Sequence, residues 1–398
     1  MLVSRVTQKM MTDTFIADIQ RSLRSLNELQ RQISTGKRVR FPSDDPIDAD
    51  RILDYRQTVA QVQQYSRNVD DMDSLASNVD GVLDTITSLL FRARDLAVRA
   101  SSDAPMAQRD RDAIAEELDQ ILHELVFQAN QKFDGKFIFS GNKTENTPFS
   151  ITNEIEFVVD GSSAIVNMPE YADKTGTRRM ELINNSEVAV TAVYVNGVAD
   201  PAPFFDVDNN TITLSAVPPA GSSVRVVFNR DVLVSYHGDT GTREVEISEG
   251  AKLGVMYPGA SPNRDERTVF SGINGDPKGI AGVEVFQTLI DLRDNIFKYE
   301  DVSADAQLNI RTGISDIDEF LSKINDVRSD LGGRMNRLEL AKNRLENINI
   351  NTQELLSNKE NVDMAEAISE MVLQQNVYQS ALGAGARIIQ MSLLDFLR

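Results

Sequence analysis

Apolar residues recur along this chain at two different periods, and the change of period divides it into three. In the first hundred residues the spacing is helical. Ile16, Ile19, Leu23, Leu26, Gln30 and Ile33 step by threes and fours until Gly36 interrupts them. A longer seam follows: Val62, Tyr65, Val69, Met72, Ala76, Val79, Leu83, Ile86, Leu90, Ala93, Ala97 and Ala100 alternate three and four without a break, as a coiled-coil stripe does. It predicts a helix from about residue 46 to 101, roughly 80 Å long at about 1.5 Å per residue. That length points to a bundle or coiled coil.

The start of this helix is marked by Pro42-Ser43-Asp44-Asp45-Pro46, where Asp45 is the expected cap, Pro46 suits the first helical position and Asp48 favours the positive helix end. Ser101-Ser102-Asp103-Ala104-Pro105 ends it. A second helix carries Ile114, Leu118, Ile121 and Leu125 on one face, and the short connection predicts antiparallel packing. From about residue 133 the texture changes. Phe137-Ile138-Phe139 before Ser140-Gly141-Asn142-Lys143 reads as a hairpin. Short alternating runs at 154–159, 188–195, 211–216, 223–228 and 243–247 are separated by turn clusters such as Val195-Asn196-Gly197 and Pro218-Pro219-Ala220-Gly221.

Helical spacing resumes near residue 283. Ile310, Ile314, Ile317, Leu321, Ile324 and Val327 form a stripe, which Leu331, Met335, Leu338, Ala341, Leu345, Ile348 and Leu355 continue. A last stripe comprises Ala365, Ile368, Val372, Gln375, Gln379, Leu382, Ala386, Ile389, Leu393 and Phe396, and its apolar face is expected to find a partner elsewhere. The pattern predicts an α+β, multi-domain chain: a long antiparallel α-helical, coiled-coil rod made from both chain ends, with an inserted mainly-β outer domain. The expected divisions are terminal helices at 1–45 and 360–398, a rod with a β-hairpin at 46–150 and 283–359, and an outer domain at 151–282 with an extra strand subdomain near 160–230.

Charge refines this picture. The chain carries a net −19, which argues against general nucleic-acid binding. Residues 1–40 run against that trend, with eight Lys and Arg against Asp13, Asp18 and Glu28. Residues 361–398 carry Asp363, Glu366, Glu370 and Asp395 against Arg387 and Arg398, so the two ends are expected to be partners. A membrane-surface role for the basic arm is the less favoured alternative. With no Cys, thiolate and disulfide chemistry is excluded. No apolar run is long enough to span a bilayer, and the first residues lack a secretory h-region. No cofactor, catalytic set or metal set is expected. Asp44-Asp45 reads as a cap and not an acid/base dyad. Asp206-Val207-Asp208-Asn209-Asn210 begins like a calcium loop but lacks the sixth-position Gly and has Val217 where Glu belongs. His237 beside Asp239 reads as a turn residue.

Several segments resemble the flagellin superfamily. Ser34-Thr35-Gly36-Lys37-Arg38-Val39 with Pro42-Ser43-Asp44-Asp45-Pro46, and Leu89 to Val98, resemble the outgoing rod of that family. Leu331-Gly332-Gly333-Arg334-Met335-Asn336-Arg337-Leu338 resembles the returning rod. Asn361-Val362-Asp363-Met364-Ala365-Glu366-Ala367 and Ser392-Leu393-Leu394-Asp395-Phe396-Leu397 resemble the C-terminal assembly helix. Gly135 to Thr144 with Pro148-Phe149, and Tyr236-His237-Gly238-Asp239, are similar to the hook-associated protein 3 family within it; residues 160–230 match neither pattern.

The resemblance implies a non-enzymatic structural subunit of the bacterial flagellum that joins hook to filament; a filament or minor flagellin is the alternative. It implies export through the flagellar type III apparatus without a cleaved signal, and an extracellular location. The implied partners are copies of the chain in a ring, hook-associated protein 1, flagellin and a cytoplasmic export chaperone. The expected assembly residues are Ile16, Ile19, Leu23, Leu26, Ile33, Ile368, Val372, Leu382, Ile389, Leu393 and Phe396.

Overall fold

The computed structural model describes residues 8–102, 107–167, 170–173, 176–179, 190–206, 211–260, 268–270, 284–297 and 304–396. Six helices hold most of these: α1 (Gln8–Thr35), α2 (Pro46–Ala100), α3 (Gln108–Ala129), α4 (Glu284–Phe297), α5 (Ala304–Glu360) and α6 (Met364–Phe396). The chain falls into two compact units. One comprises residues 1–67 and 343–398, the other residues 68–342. The terminal unit comprises α1, α6 and the adjoining parts of α2 and α5, because both long helices run on from one unit into the other.

The central unit is built on the heptad seam of α2. Val69, Ala76, Val79, Leu83, Ile86, Leu90, Ala93 and Ala97 are all fully buried. Leu75, Val82 and Leu96 are buried as well, so the helix is covered over more than one stripe. Ion pairs set α5 antiparallel to it: Arg94 meets Asp318, Arg328 meets Asp80 at 2.9 Å and Asp84 at 2.9 Å, and Lys342 meets Asp70 at 2.8 Å. As the number rises on α2 it falls on α5. The stripe of α5 holds through Ile310, Ile317, Leu321, Ile324, Val327, Leu331, Leu338 and Leu345, all buried. Beyond Leu345 the expected phase fails. Leu355 is 48% exposed, whereas Thr352 is buried and Leu356 packs on Val39, Ala49 and Ile52 of the terminal unit. A strict three–four count drifts from the 3.6-residue turn, and Thr352 continues the face where an apolar reading passes over it.

The hairpin after α3 turns at Asp134-Gly135, with φ of 49° and 74°, between Lys132–Phe133 and Lys136–Phe137. The expected turn at Ser140–Lys143 lies too late. Asp-Gly supplies the two left-handed residues that a two-residue hairpin requires. Phe139, Phe149, Tyr236, Phe270 and Phe286 stack with centroids 5.0–5.3 Å apart. Gly259 lies beneath them, where a Cβ would stand 2.5 Å from Phe149 Cζ and 2.9 Å from the Phe139 carbonyl oxygen, so no larger residue fits.

An inserted sheet domain interrupts this unit. Four antiparallel strands run in the order Glu154–Val159, Ser222–Phe228, Val190–Val195 and Val198–Ala199. A three-stranded sheet of Phe204–Asp206, Thr211–Thr213 and Ile165–Asn167 adds Ile212 to the core of Ile155, Val193, Leu214, Val224, Val226, Phe228 and Val232. This region, unmatched in the family resemblance, is thus a folded β module. Its base is the pair Phe149–Thr152 with Leu233–Tyr236. Where the chain crosses from base to module, Phe228 donates its N–H to the Asn153 carbonyl at 2.8 Å and the Asn153 amide donates back to the Phe228 carbonyl at 2.9 Å.

Candidate assembly interface

Within the terminal unit α1 packs along α6. The described part of the face they share mixes small and polar residues with a large aromatic ring, that of Phe15. Ser22, Leu29, Ala367 and Gly385 are buried; the Gln374 amide donates to Ser22 Oγ at 3.0 Å; and the Phe15 ring lies so close to Gly385 that a Cβ there would collide with it. The two ends of the chain are partners, as their charges suggested, but charge is not the visible means. Arg21 pairs with Asp18 at 3.1 Å, and Arg31 with Glu28 at 2.7 Å and Asp44 at 3.4 Å, all within the same segment.

The large apolar residues mostly lie off that face. Leu23 follows Ser22 by one residue, roughly 100° round the helix, and Ile16 is displaced by roughly 120°. Ile16 is 48% exposed, Leu23 41%, Ile368 44%, Val372 48% and Leu382 45%. Ile19, Leu26 and Ile33 are half-buried. Met364, Leu373 and Val377, absent from the sequence expectation, are exposed too. Ile389, Leu393 and Phe396 lie in α6, with side chains outside the described residues. The pair thus presents a further apolar face that none of the described residues covers.

A polar staple fixes the roots of the two helices. Gly36, at φ 69°, ends α1 with its N–H on the Gln32 carbonyl. The next residues bridge to the α5–α6 junction: Arg38 N–H donates to the Glu360 carbonyl at 2.7 Å, and Val362 N–H to the Gly36 carbonyl at 3.0 Å. The Glu360 carboxylate is buried between Arg56, at 2.7 Å, and Lys37. Arg38 reaches the Lys359 carbonyl at 3.1 Å and also Asp48, which Lys359 meets at 3.2 Å. Asp45 Oδ1 caps α2 by accepting from Ile47 at 3.2 Å and Asp48 at 3.1 Å, and Pro46 is the first helical residue. Asp44 accepts the N–H groups of Phe41 and Arg40, and these hold its carboxyl below the usual range. Asp363 caps α6 through Ala365 and Glu366. Reading the sequence missed Glu360, Arg56 and Lys359, because the staple joins residues some three hundred positions apart.

The staple makes a testable prediction. Burial raises the Glu360 pKa, but hydrogen bonds from Arg56 and Lys37 outweigh it and the net shift is downward from 4.5. Its contribution is therefore present above 4.5 and is lost as pH falls through the lower folded value. Glu360→Ala should destabilise the junction by about 1–3 kcal/mol. Hydrogen exchange at the Arg38 and Val362 amides should accelerate while the central unit is unchanged; unaltered protection would refute the assignment.

Other candidate chemistry is not assembled. His237 Nε2 lies 2.7 Å from Ser150 Oγ on the exposed edge of the base strands, and Asp239 is engaged by the N–H groups of Asn142 and Gly241. Of the calcium-like stretch, residues 207–210 lie outside the described residues. Among the described residues no cluster of His, Asp and Glu could hold a metal ion, and no helix is long and apolar enough to cross a membrane.

Comparison with known proteins agrees with this arrangement of helical ends. Residues 6–144 match the bacterial flagellin N-terminal helical region and residues 314–397 match the flagellin C-terminal helical region, together more than half of the chain. The chain belongs to the bacterial flagellin family. Flagellar hook-associated protein 3 of Salmonella typhimurium is 34% identical over 146 residues, 36% of this chain and 46% of that protein. The protein of the same name from Escherichia coli is 29% identical over 198 residues, 50% of this chain and 60% of that protein. The chain thus matches about half the length of these relatives. Its fold resembles a flagellar hook-associated protein of Vibrio parahaemolyticus, with a TM-score of 0.51 at 15% identity over 80% of this chain and 100% of the other.

Proposed function

We propose that the chain is a structural subunit of the flagellum that joins the hook to the filament. The observation that carries the assembly reading is the uncovered apolar face of the α1–α6 pair; the hook-associated relatives give it its place in the flagellum. Copies of the chain assemble as a ring, burying Ile16, Ile19, Leu23, Leu26, Ile33, Ile368, Val372, Leu382, Ile389, Leu393 and Phe396 against neighbouring subunits. Each large side chain so covered contributes about 1.5–3 kcal/mol when fully buried. The ring stands between hook-associated protein 1 and flagellin. A cytoplasmic chaperone shields the exposed face before export through the flagellar type III apparatus, since such a face invites aggregation. A chain without Cys enters such a route with no disulfide to undo.

Deleting the gene tests this reading. The expected result is hooks without filaments by electron microscopy, with flagellin monomer shed into the medium. Filaments of ordinary length still attached to the cell would overturn it in favour of a minor flagellin.

A further inference from the structure

His123, on α3, has both ring nitrogens set against acceptors. Nδ1 lies 2.8 Å from the Asp119 carbonyl oxygen, and Nε2 lies 2.9 Å from Asp231 Oδ2. Carbonyl and carboxylate oxygens only accept. A neutral imidazole has one N–H, so it can fill one of these contacts and must point a lone pair at the other oxygen. The imidazolium fills both.

The position of Asp231 gives this contact a consequence. It lies between Ser222–Phe228 of the inserted sheet and Leu233–Tyr236 of the base, on one of the two crossings that attach the module; Asn153 marks the other. The charged groups around His123 come from three elements. From α3 come Glu116 and Asp119, from the crossing Arg230 and Asp231, and from α4 Arg293 and Asp294. Arg230 pairs with Glu116 at 3.0 Å and lies 4.7 Å over the Phe297 ring. Arg293 donates to Asp294 at 2.7 Å, to Asp119, and to the Asp231 backbone carbonyl at 2.8 Å. The ring seated on the Asp231 carboxylate is that of His123, at 2.9 Å.

We propose that His123 is a proton-operated latch: as imidazolium it pins the Asp231 crossing to α3, and loss of its proton loosens the attachment of the inserted sheet module. Burial lowers the imidazole pKa, but the Asp119 carbonyl and the charges of Asp119 and Asp231 outweigh it, and the net shift is upward from 6.5. A raised folded pKa means that the contribution is complete below 6.5 and is lost as pH rises through the folded value. The latch is closed below 6.5 and opens as pH rises through the folded pKa.

The chain has two histidines, so imidazole nitrogen NMR of the full-length protein resolves them, with His237→Gln as the assignment control. Below its pKa His123 should carry a proton on each nitrogen, and it should titrate above 6.5. Hydrogen exchange at residues 229–232, corrected for the intrinsic effect of pH, should rise severalfold across that titration. In His123→Gln the same amides should exchange fast at every pH. Titration of His123 at or below 6.5, or equal protection in native protein and variant throughout, would overturn the proposal; the first reading needs no variant.

Discussion

Arg293→Met should destabilise the packing of α3 against α4 by about 3–5 kcal/mol, the largest stability loss expected of any single substitution in the central unit. The guanidinium is fully buried. It is the common partner of Asp294, Asp119 and the Asp231 carbonyl. Methionine fills much of the space, so the loss is chiefly that of a charge. Two carboxylates then lie close together without the guanidinium between them, and the half-buried Asp231 carbonyl loses a donor. The pH dependence identifies the cause. Burial already pushes the Asp294 carboxyl up, with Arg293 pulling it back. Without the arginine the Asp294 carboxyl must titrate higher still, so the penalty should shrink as pH falls and it accepts a proton. Hydrogen exchange along α3 and α4 in the full chain is the suitable readout, because one melting midpoint is ill-defined for two units. A second variant separates charge from shape: Arg293→Met with Asp119→Leu and Asp294→Leu removes the uncompensated charges and should recover much of the loss. Unchanged exchange in the single variant would show that the buried cation contributes little.

What could be read in advance follows the range of the interactions. The seam from Val62 to Ala100 was legible because a heptad is a local, repeated statement, and the buried positions of α2 reproduce it. Pro46 at the start of α2 and the cap on Asp45 were legible for the same reason. Four strands of the inserted module could be seen as alternations, but not Ile165–Asn167, Val198–Ala199 or Phe204–Asp206, nor the strand order, since Glu154–Val159 pairs with Ser222–Phe228 across some seventy residues. Arg293 gave no signal at all: in an amphipathic helix a charged residue reads as solvent-facing until its partners, 174 and 62 positions away, are known. Glu360 was hidden in the same way. The terminal helices are the instructive case. Their stripe is apolar, yet the described contacts between α1 and α6 include Ser22 with Gln374 and Phe15 with Gly385, and a count of large hydrophobics passes over Ser22, Gln374 and Gly385. Small residues allow close approach of two helices and leave the large ones beside the contact.

That division predicts a separation of folding from assembly, and the effect should be all or none. Val372→Asp or Leu382→Asp should leave the subunit folded and abolish its association with other copies. Both side chains are nearly half exposed, so a carboxylate there meets water in the free chain and changes its stability within about 0.5 kcal/mol. In the proposed ring the same carboxylate would be taken out of water without a cation, at an effective penalty of several kcal/mol per site, repeated at every subunit. Leu382→Met supplies the control, since a volume-conserving apolar change should preserve assembly. Leu29→Asp supplies the opposite one: Leu29, on α1, is buried, and a charge there should unfold the terminal unit itself. The purified variants can be compared by helical circular dichroism and sedimentation, and in cells by rescue of the deletion strain with the subunit assayed in the medium, which separates failed export from failed assembly. Secreted, folded Leu382→Asp subunit with no filaments on the cell is the expected outcome. Filaments restored to normal by both Val372→Asp and Leu382→Asp would mean that this flank of α6 faces solvent in the assembly and that the covering surface lies elsewhere.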